Sequence, residues 1–163
     1  MKRQVTLNVN GRPYEVEVED RKTLADAIRE NCGLIGTHLG CEHGVCGACT
    51  VLLEGQPVRS CLMFAVQCDG NKIRTVEGLA EGDRLNSLQE SFSRHHALQC
   101  GFCTPGFLML ATALIENGAD LDDQELREAL SSNLCRCTGY QSIIQAVRDA
   151  MDQVRASAEA PAG

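Results

Sequence analysis

The stretch that decides the fold runs from Gly40 to Cys49 and reads GCEHGVCGAC. Three cysteines in it follow the spacing C-x4-C-x2-C, and a fourth stands further along the chain; together they are Cys41, Cys46, Cys49 and Cys61. Glycines alternate with these cysteines, and glycine reaches positive φ at little steric cost. Such a loop can close around an anion and turn its N–H groups inward. The pattern therefore predicts a thiolate-held metal centre.

The spacing of this first quartet selects the kind of metal centre. A [2Fe–2S] cluster needs four thiolates, and C-x4-C-x2-C with a distant fourth cysteine is the plant-type ferredoxin arrangement. Structural zinc is a rival interpretation, but zinc sites usually use two C-x2-4-C knuckles. A disulfide framework is a second rival. It is disfavoured because no apolar leader follows the basic residues at the start of the chain.

A second quartet has a different spacing. Cys100 and Cys103 form a C-x2-C pair, and Cys135 and Cys137 form a C-x-C pair after a predicted helical hairpin. The second quartet is therefore predicted to hold another [2Fe–2S] cluster, although zinc remains open here too.

Each pair of the second quartet is predicted to lead directly into a helix. Thr104 is the expected N-cap of one helix, with Pro105 at its first position. Thr138 is expected to cap the other helix in the same way. Two helix N-termini would then direct partial positive charge and free N–H groups at one anionic cluster. Arg136 would add to this field.

The fold class predicted from hydrophobic periodicity is α+β. In the first part of the chain, period-two alternation of apolar residues predicts strands, and Thr23 is expected to cap one short helix. The second part predicts helices with apolar residues at helical spacing, including a core segment at Phe107–Leu110. The expected strands are Val5–Val9, Tyr14–Val18, Thr50–Leu53, Gln56–Ser60 and Lys72–Val76, and the expected helices are Leu85–His95, Pro105–Asn117, Gln124–Ser131 and Gln141–Val154.

The predicted organisation is two domains and a tail. Residues 1–78 are expected to form a ferredoxin-like domain, 79–155 a helical cluster-binding domain, and 156–163 a disordered tail. The net charge of −7 and the low aromatic content of 4% argue against binding to nucleic acid. No stretch approaches the roughly 20 apolar residues of a membrane span. The expected location is the cytoplasm.

Several cysteines and histidines are predicted to have ordinary packing roles. Cys32 and Cys68 stand outside both quartets and are expected to be idle or buried thiols. His38 and His43 flank the first loop and are expected to pack or hydrogen bond, and the pair His95 and His96 ends a helix, where imidazole interacts well with terminal carbonyls.

Three motifs together resemble a known family. They are GCEHGVCGAC at Gly40–Cys49, QCGFCTPG at Gln99–Gly106 and NLCRCTG at Asn133–Gly139. These motifs are similar to those of the small iron–sulfur subunit of molybdenum hydroxylases, the group of xanthine dehydrogenase, aldehyde oxidoreductase and aerobic carbon monoxide dehydrogenase. The resemblance runs from about Val5 to Val154 and includes all eight quartet cysteines.

The resemblance implies a β-grasp ferredoxin domain followed by a four-helix bundle with a more deeply buried cluster. It implies that Gln99 and Cys137 approach the molybdopterin of a large subunit. Electrons would pass from that centre through the second and then the first cluster to FAD on a medium subunit, or to a cytochrome. The chain itself would carry no catalytic residue, and the common assembly is a dimer of heterotrimers. A stand-alone ferredoxin-like carrier and a zinc-stabilised scaffold remain the alternatives.

Overall fold

The computed structural model describes residues 1–159, and its first part is a five-stranded sheet. The strands lie in the order β2-β1-β5-β3-β4, and β1 and β5 run parallel while the other neighbours run antiparallel. The bounds are β1 Lys2–Val9, β2 Arg12–Glu19, β3 Thr50–Leu53, β4 Gln56–Arg59 and β5 Lys72–Arg74. All five predicted strands are confirmed, with small shifts at their ends.

Both hairpins of the sheet turn through residues with positive φ. Asn10 and Gly11 have φ values of 52° and 77°, and Glu54 and Gly55 have values of 48° and 81°. Two consecutive residues in the left-handed region match the right-handed twist of paired strands. The turns between β1 and β2 and between β3 and β4 are therefore suited to tight hairpins.

One short helix packs against the sheet. Helix α1, Leu24–Asp26, continues as a π-helical turn, Ala27–Asn31. The hydroxyl of Thr23 accepts a hydrogen bond from the Asp26 N–H at 3.1 Å, which confirms the predicted cap. Apolar residues of this segment, of β1 and β2, and of the 3-10 turn Ala65–Cys68 form one buried core.

Four helices form the second part of the chain. They are α2 Ser87–Arg94, α3 Thr104–Glu116, α4 Asp123–Leu130 and α5 Gln141–Glu159. Helix α3 is central, because its segment from Phe107 to Ala111 is buried on all sides, as predicted. Asp122 and Glu125 form the predicted capping box of α4. The α+β class is thus confirmed.

The C-terminal end of the last helix differs most from its predicted position. Helix α5 continues to Glu159, so residues 156–159 are helical although they were expected to begin a disordered tail. Alanine and glutamate in this segment are good helix formers, and they extend the helix past its last buried turn. The remainder of the predicted tail, 160–163, lies outside the described residues.

The sheet part and the helical part of the chain pack against each other. Leu52 of β3 belongs to the buried cluster of the helices, and α3 lies against β3. Arg74 of β5 forms an ion pair with Glu116 of α3 at 2.7 Å. Within residues 1–159, no helix combines the length and the apolar character needed to cross a membrane.

Candidate metal centres

The first quartet lies on the loop before β3 and on the turn after β4. Cys49 and Cys61 are buried, whereas Cys41 and Cys46 are half-buried. The Sγ of Cys41 accepts hydrogen bonds from the backbone N–H groups of His43 and Cys46, both at 3.3 Å. The loop thus directs N–H groups at sulfur, as the glycine pattern predicts.

Close approach explains the glycines of this loop. A Cβ at Gly40 would lie 2.9 Å from the Sγ of Cys46, so a side chain there would push the sulfur aside. Gly44 and Gly47 have φ values of 80° and 72°, a region that disfavours other residues. Glu42 also has positive φ, at 53°, which the sequence did not signal.

The second quartet surrounds one hollow. The hollow has a volume of about 240 Å³, and its walls are mainly apolar. All four cysteines of the quartet line it, together with Cys46 of the first quartet; the full lining is Cys46, Ala48, Cys100, Phe102, Cys103, Leu134, Cys135, Arg136 and Cys137. The topology therefore brings together two pairs of cysteines that are separated in the chain by α3 and α4.

The predicted cap at Thr104 is wrong. Helix α3 begins at Thr104, so the N-cap position falls on Cys103, whose backbone is already helical and whose side chain makes no capping hydrogen bond. Pro105 therefore follows the first helical residue. The hydroxyl of Thr104 is buried and has no hydrogen-bond partner among residues 1–159. A helix N-terminus thus meets the second quartet directly at a ligand position.

The predicted cap at Thr138 is also wrong. Helix α5 begins only at Gln141, and the backbone carbonyl of Tyr140 accepts the first helical hydrogen bond. The Thr138 hydroxyl instead lies 3.0 Å from the Sγ of Cys135, and its backbone N–H donates to the same sulfur at 3.4 Å. Thr138 is thus a hydrogen-bond partner of a cysteine sulfur rather than a helix cap.

The thiols of each quartet influence one another mainly in pairs. The thiol that most affects the pKa of Cys41 is Cys46, and the one that most affects the pKa of Cys61 is Cys49, with a weaker influence from Cys41. In the second quartet the pKa of Cys103 responds most to Cys135 and that of Cys137 most to Cys100, with weaker influences across these pairs. Within residues 1–159, no three His, Cys, Asp or Glu side chains converge on a point where one ion could be held. Two pairs per site suit a diiron cluster, in which each iron takes two thiolates, better than a single tetrahedral ion.

None of the ten cysteines is disulfide-bonded. The disulfide framework considered for this sequence is therefore wrong. The donor set and the cradle of N–H groups fit [2Fe–2S] clusters, because four thiolates and hydrogen bonds to sulfur are what such clusters require.

The local environment sets the acidity of the thiols. Hydrogen bonds from the N–H groups of Cys46 and His43 lower the pKa of Cys41 to about 6. Burial, together with the neighbouring Cys135, raises the pKa of Cys103 to about 12. Burial likewise raises the pKa of Cys61 to about 11. A metal bound at Cys61 and Cys103 would therefore displace protons from these thiols.

The second quartet is the more open of the two. Cys100 and Cys137 are exposed, and the neighbouring Phe102 and Leu134 are 48% and 51% exposed. In this chain by itself, the second quartet is more exposed than the first, and the family's burial of the second centre stays a prediction about the assembly. Gln99 is also exposed, on the loop that carries Cys100.

Cys32, Cys68, His38 and His95 lie in ordinary packing or hydrogen-bonding positions, whereas His43 and His96 are exposed. Cys68 is fully buried in the sheet core, and Cys32 packs half-buried at the edge of the same core. His38 donates from Nδ1 to the backbone carbonyl of Phe102 at 2.8 Å and stacks on its ring. His95 lies at the end of α2 and contacts Asp149.

Sequence reasoning missed the contact between the two cysteine-bearing loops. The backbone N–H of Leu134 donates to the carbonyl of Cys46 at 2.8 Å. Arg59 of β4 donates to the carbonyl of Ser132 at 2.7 Å. Asn133 is buried between these loops, and its position beside the C-x-C pair was the one signal in the sequence.

The fold and the paired sulfurs define a protein with two [2Fe–2S]-binding domains. Residues 7–80 match a family described as 2Fe-2S iron-sulfur cluster binding domain, and residues 75–148 match one described as [2Fe-2S] binding domain. The chain belongs to the small [2Fe–2S] subunit family of the molybdenum hydroxylases, as its three motifs predict.

Relatives of this chain are subunits of oxidoreductases. The nicotine 6-hydroxylase small subunit of Paenarthrobacter nicotinovorans is 58% identical over 93% of this chain and 91% of its own length. The caffeine dehydrogenase subunit gamma of Pseudomonas sp. (strain CBB1) is 53% identical over 88% of each chain. A chain in the crystal structure of quinoline 2-oxidoreductase from Pseudomonas putida 86 is 52% identical, with a TM-score of 0.88 over 95% of this chain and 97% of that one.

Proposed function

We propose that this chain is the electron-transfer subunit of a heteromeric molybdenum hydroxylase. It would pass electrons from the molybdopterin centre of a large subunit to FAD on a medium subunit, or to another acceptor. One observation carries the proposal: Cys46 of the first quartet lines the same hollow as the four cysteines of the second. The two centres would therefore be adjacent within one chain.

The eight quartet cysteines would hold the clusters, and no catalytic residue is assigned to this chain. In the first quartet, one iron would bind Cys41 and Cys46, and the other would bind Cys49 and Cys61. In the second quartet, the pairs would be Cys100 with Cys137 and Cys103 with Cys135. Bound [2Fe–2S] clusters supply one-electron redox chemistry.

The polypeptide would tune these centres through hydrogen bonds to sulfur. His43 and Cys46 donate to Cys41, and Thr138 donates to Cys135. Such donors stabilise the more negative, reduced form of a cluster, so they raise its reduction potential. The helix N-terminus at Cys103 acts in the same direction, because its partial charge is positive.

The exposed rims suggest how the partners would be arranged. Gln99 and Cys137 lie exposed beside the second hollow and would face the pterin of the large subunit. Val45 and Leu62 are 62% and 60% exposed beside the first quartet and would face the electron acceptor. A cytoplasmic dimer of heterotrimers remains an expectation from the family resemblance.

Metal analysis of the complex tests the proposal. The chain, tagged and purified anaerobically from its own host, should retain molybdenum and flavin together with about four irons per copy. Leu98→Glu places a charge two residues before Cys100 of the second quartet, where Leu98 is 43% exposed. This variant should keep its iron but lose the molybdenum.

Leu85→Glu is the matched control, because Leu85 is similarly exposed, at 46%, and stands before α2. It should retain both metals. An iron-replete chain that never retains molybdenum would favour the stand-alone carrier instead.

A further inference from the structure

A buried polar side chain lies where the two cysteine-bearing loops meet, and it binds neither centre. Asn133 is 1% exposed and stands two residues before Cys135. Its Nδ2 donates to the carbonyl of Gly47 at 3.3 Å. The next residue, Leu134, donates its N–H to the carbonyl of Cys46 at 2.8 Å. Consecutive residues of one loop thus hold consecutive residues of the other.

Glycines allow the loops to approach this closely. A Cβ at Gly47, which has a φ of 72°, would overlap the side-chain amide of Asn133. A Cβ at Gly106, in the first turn of α3, would overlap the carbonyl of Gly47. The side chain of Asn133 therefore fills a space that is bounded by the backbone of the first loop and by α3.

Stability alone does not explain an asparagine at this position. Its Nδ2 makes one long hydrogen bond, and its Oδ1 is buried without a donor among residues 1–159. A buried acceptor without a partner destabilises the folded state. Buried polar atoms normally have hydrogen-bond partners, and residues that break this rule are expected at functional positions.

We infer that Asn133 is a positioning residue for electron transfer between the two centres. It holds the Cys46 loop against the Cys135 loop and so fixes the separation of the thiolates on either side. The hydrogen bond from Leu134 to Cys46 then connects a ligand of the first quartet, through the backbone, to Cys135 of the second. This inference rests on the proposed function, because it presupposes a cluster at each quartet.

Magnetic coupling between the two reduced centres measures their relative position. In the full chain carrying both clusters, Asn133→Ala should leave iron at about four per chain and should keep both electron paramagnetic resonance signals. The splitting that the spin of one reduced centre causes in the signal of the other should be lost or clearly reduced. Asn133→Leu has nearly the same shape but no donor, so it should reduce the splitting as well.

A second variant perturbs the same contact from the other side. Gly106→Ala leaves Asn133 intact but places a methyl group against the Gly47 carbonyl, so it too should reduce the splitting. Arg74→Gln is the control, because it breaks the ion pair with Glu116 that joins the two parts of the chain away from these loops. It should leave the splitting unchanged.

The outcomes separate this inference from the proposed function. If the wild-type chain lacks two [2Fe–2S] signals, the proposed function fails. If the wild type shows coupled signals, and Asn133→Ala and Gly106→Ala show the same splitting at full iron content, only the positioning role is wrong. Loss of iron from both variants would also contradict it, because positioning requires that the centres still form.

Discussion

At the scale of single residues, the burial of Cys103 favours its protonated thiol, whereas binding of iron requires its thiolate. Burial raises the pKa of its thiol to about 12, so the metal-free chain keeps this cysteine protonated at neutral pH. Only the thiolate binds iron. Iron binding to the second quartet must therefore displace a proton from a half-buried sulfur. The ionisation of Cys103 should depend on the metal more than that of an exposed cysteine does.

Replacing Cys103 with serine should remove one centre and leave the other. The serine hydroxyl is a poor ligand for iron in this setting, whereas the first quartet keeps all four of its sulfurs. Iron should fall from about four to about two per chain, and the plant-type signal should remain in the electron paramagnetic resonance spectrum.

Cys68→Ala provides the comparison for that variant, because Cys68 is buried in the sheet core and belongs to neither quartet. Its iron content should equal that of the wild type. If Cys103→Ser lost both signals while still folded, the two centres would not be independent.

At the residue level, cysteine spacing and glycine placement carried most of the information in the sequence. They identified both quartets, because ligand geometry restricts spacing. They did not reveal Glu42 at positive φ or the contact of Thr138 with the Cys135 sulfur. Threonine before a helix commonly caps it. Only the folded loop shows that the Thr138 hydroxyl accepts from the N–H of Tyr140, just before α5, and also lies against the Cys135 sulfur.

At the level of elements, Asp149 connects α2 to α5. Its carboxylate accepts hydrogen bonds from Gln153 on its own helix and from Arg94, Ser91 and His95 at the end of α2. These donors, with Gln153 the strongest, hold the pKa of Asp149 well below its usual range. A carboxyl group whose pKa is depressed on folding stabilises the folded state above its unfolded pKa of about 3.9, and the stabilisation disappears as the pH falls.

Asp149→Asn should therefore destabilise the chain by about 1 kcal/mol at pH 7. The difference in thermal midpoint from the wild type should narrow as the pH falls from about 5 towards 4, where the unfolded state takes up the proton. Asp152→Asn changes an exposed carboxylate on the same helix and should have little effect. A difference that widened over that range would contradict this interpretation of Asp149.

The ends of the elements were less predictable than their existence. Periodicity predicted every strand and the four long helices, because burial of one face imposes a repeat on the sequence. It placed the end of α5 at Val154 rather than Glu159, because the last turn of this helix is exposed and has no buried face to mark it.

At the level of the whole molecule, the two parts of the chain meet at their cysteine loops. Cys46 and Leu134 are joined by a hydrogen bond although they are far apart in sequence. No periodic pattern in the sequence predicts such a contact, because the contact depends on how one folded part docks on the other. The exposed rim of the second hollow is likewise a property of the assembled chain, since the cysteine spacing carries no information about which side a partner covers.

The measurement that tests the central claim most directly is metal and spin analysis of the full chain prepared without oxygen. The two paired quartets predict about four irons and about four acid-labile sulfides per chain, and two distinct [2Fe–2S] signals after reduction. A colourless chain that contains zinc, or a chain that saturates at about two irons with a single signal, would contradict it.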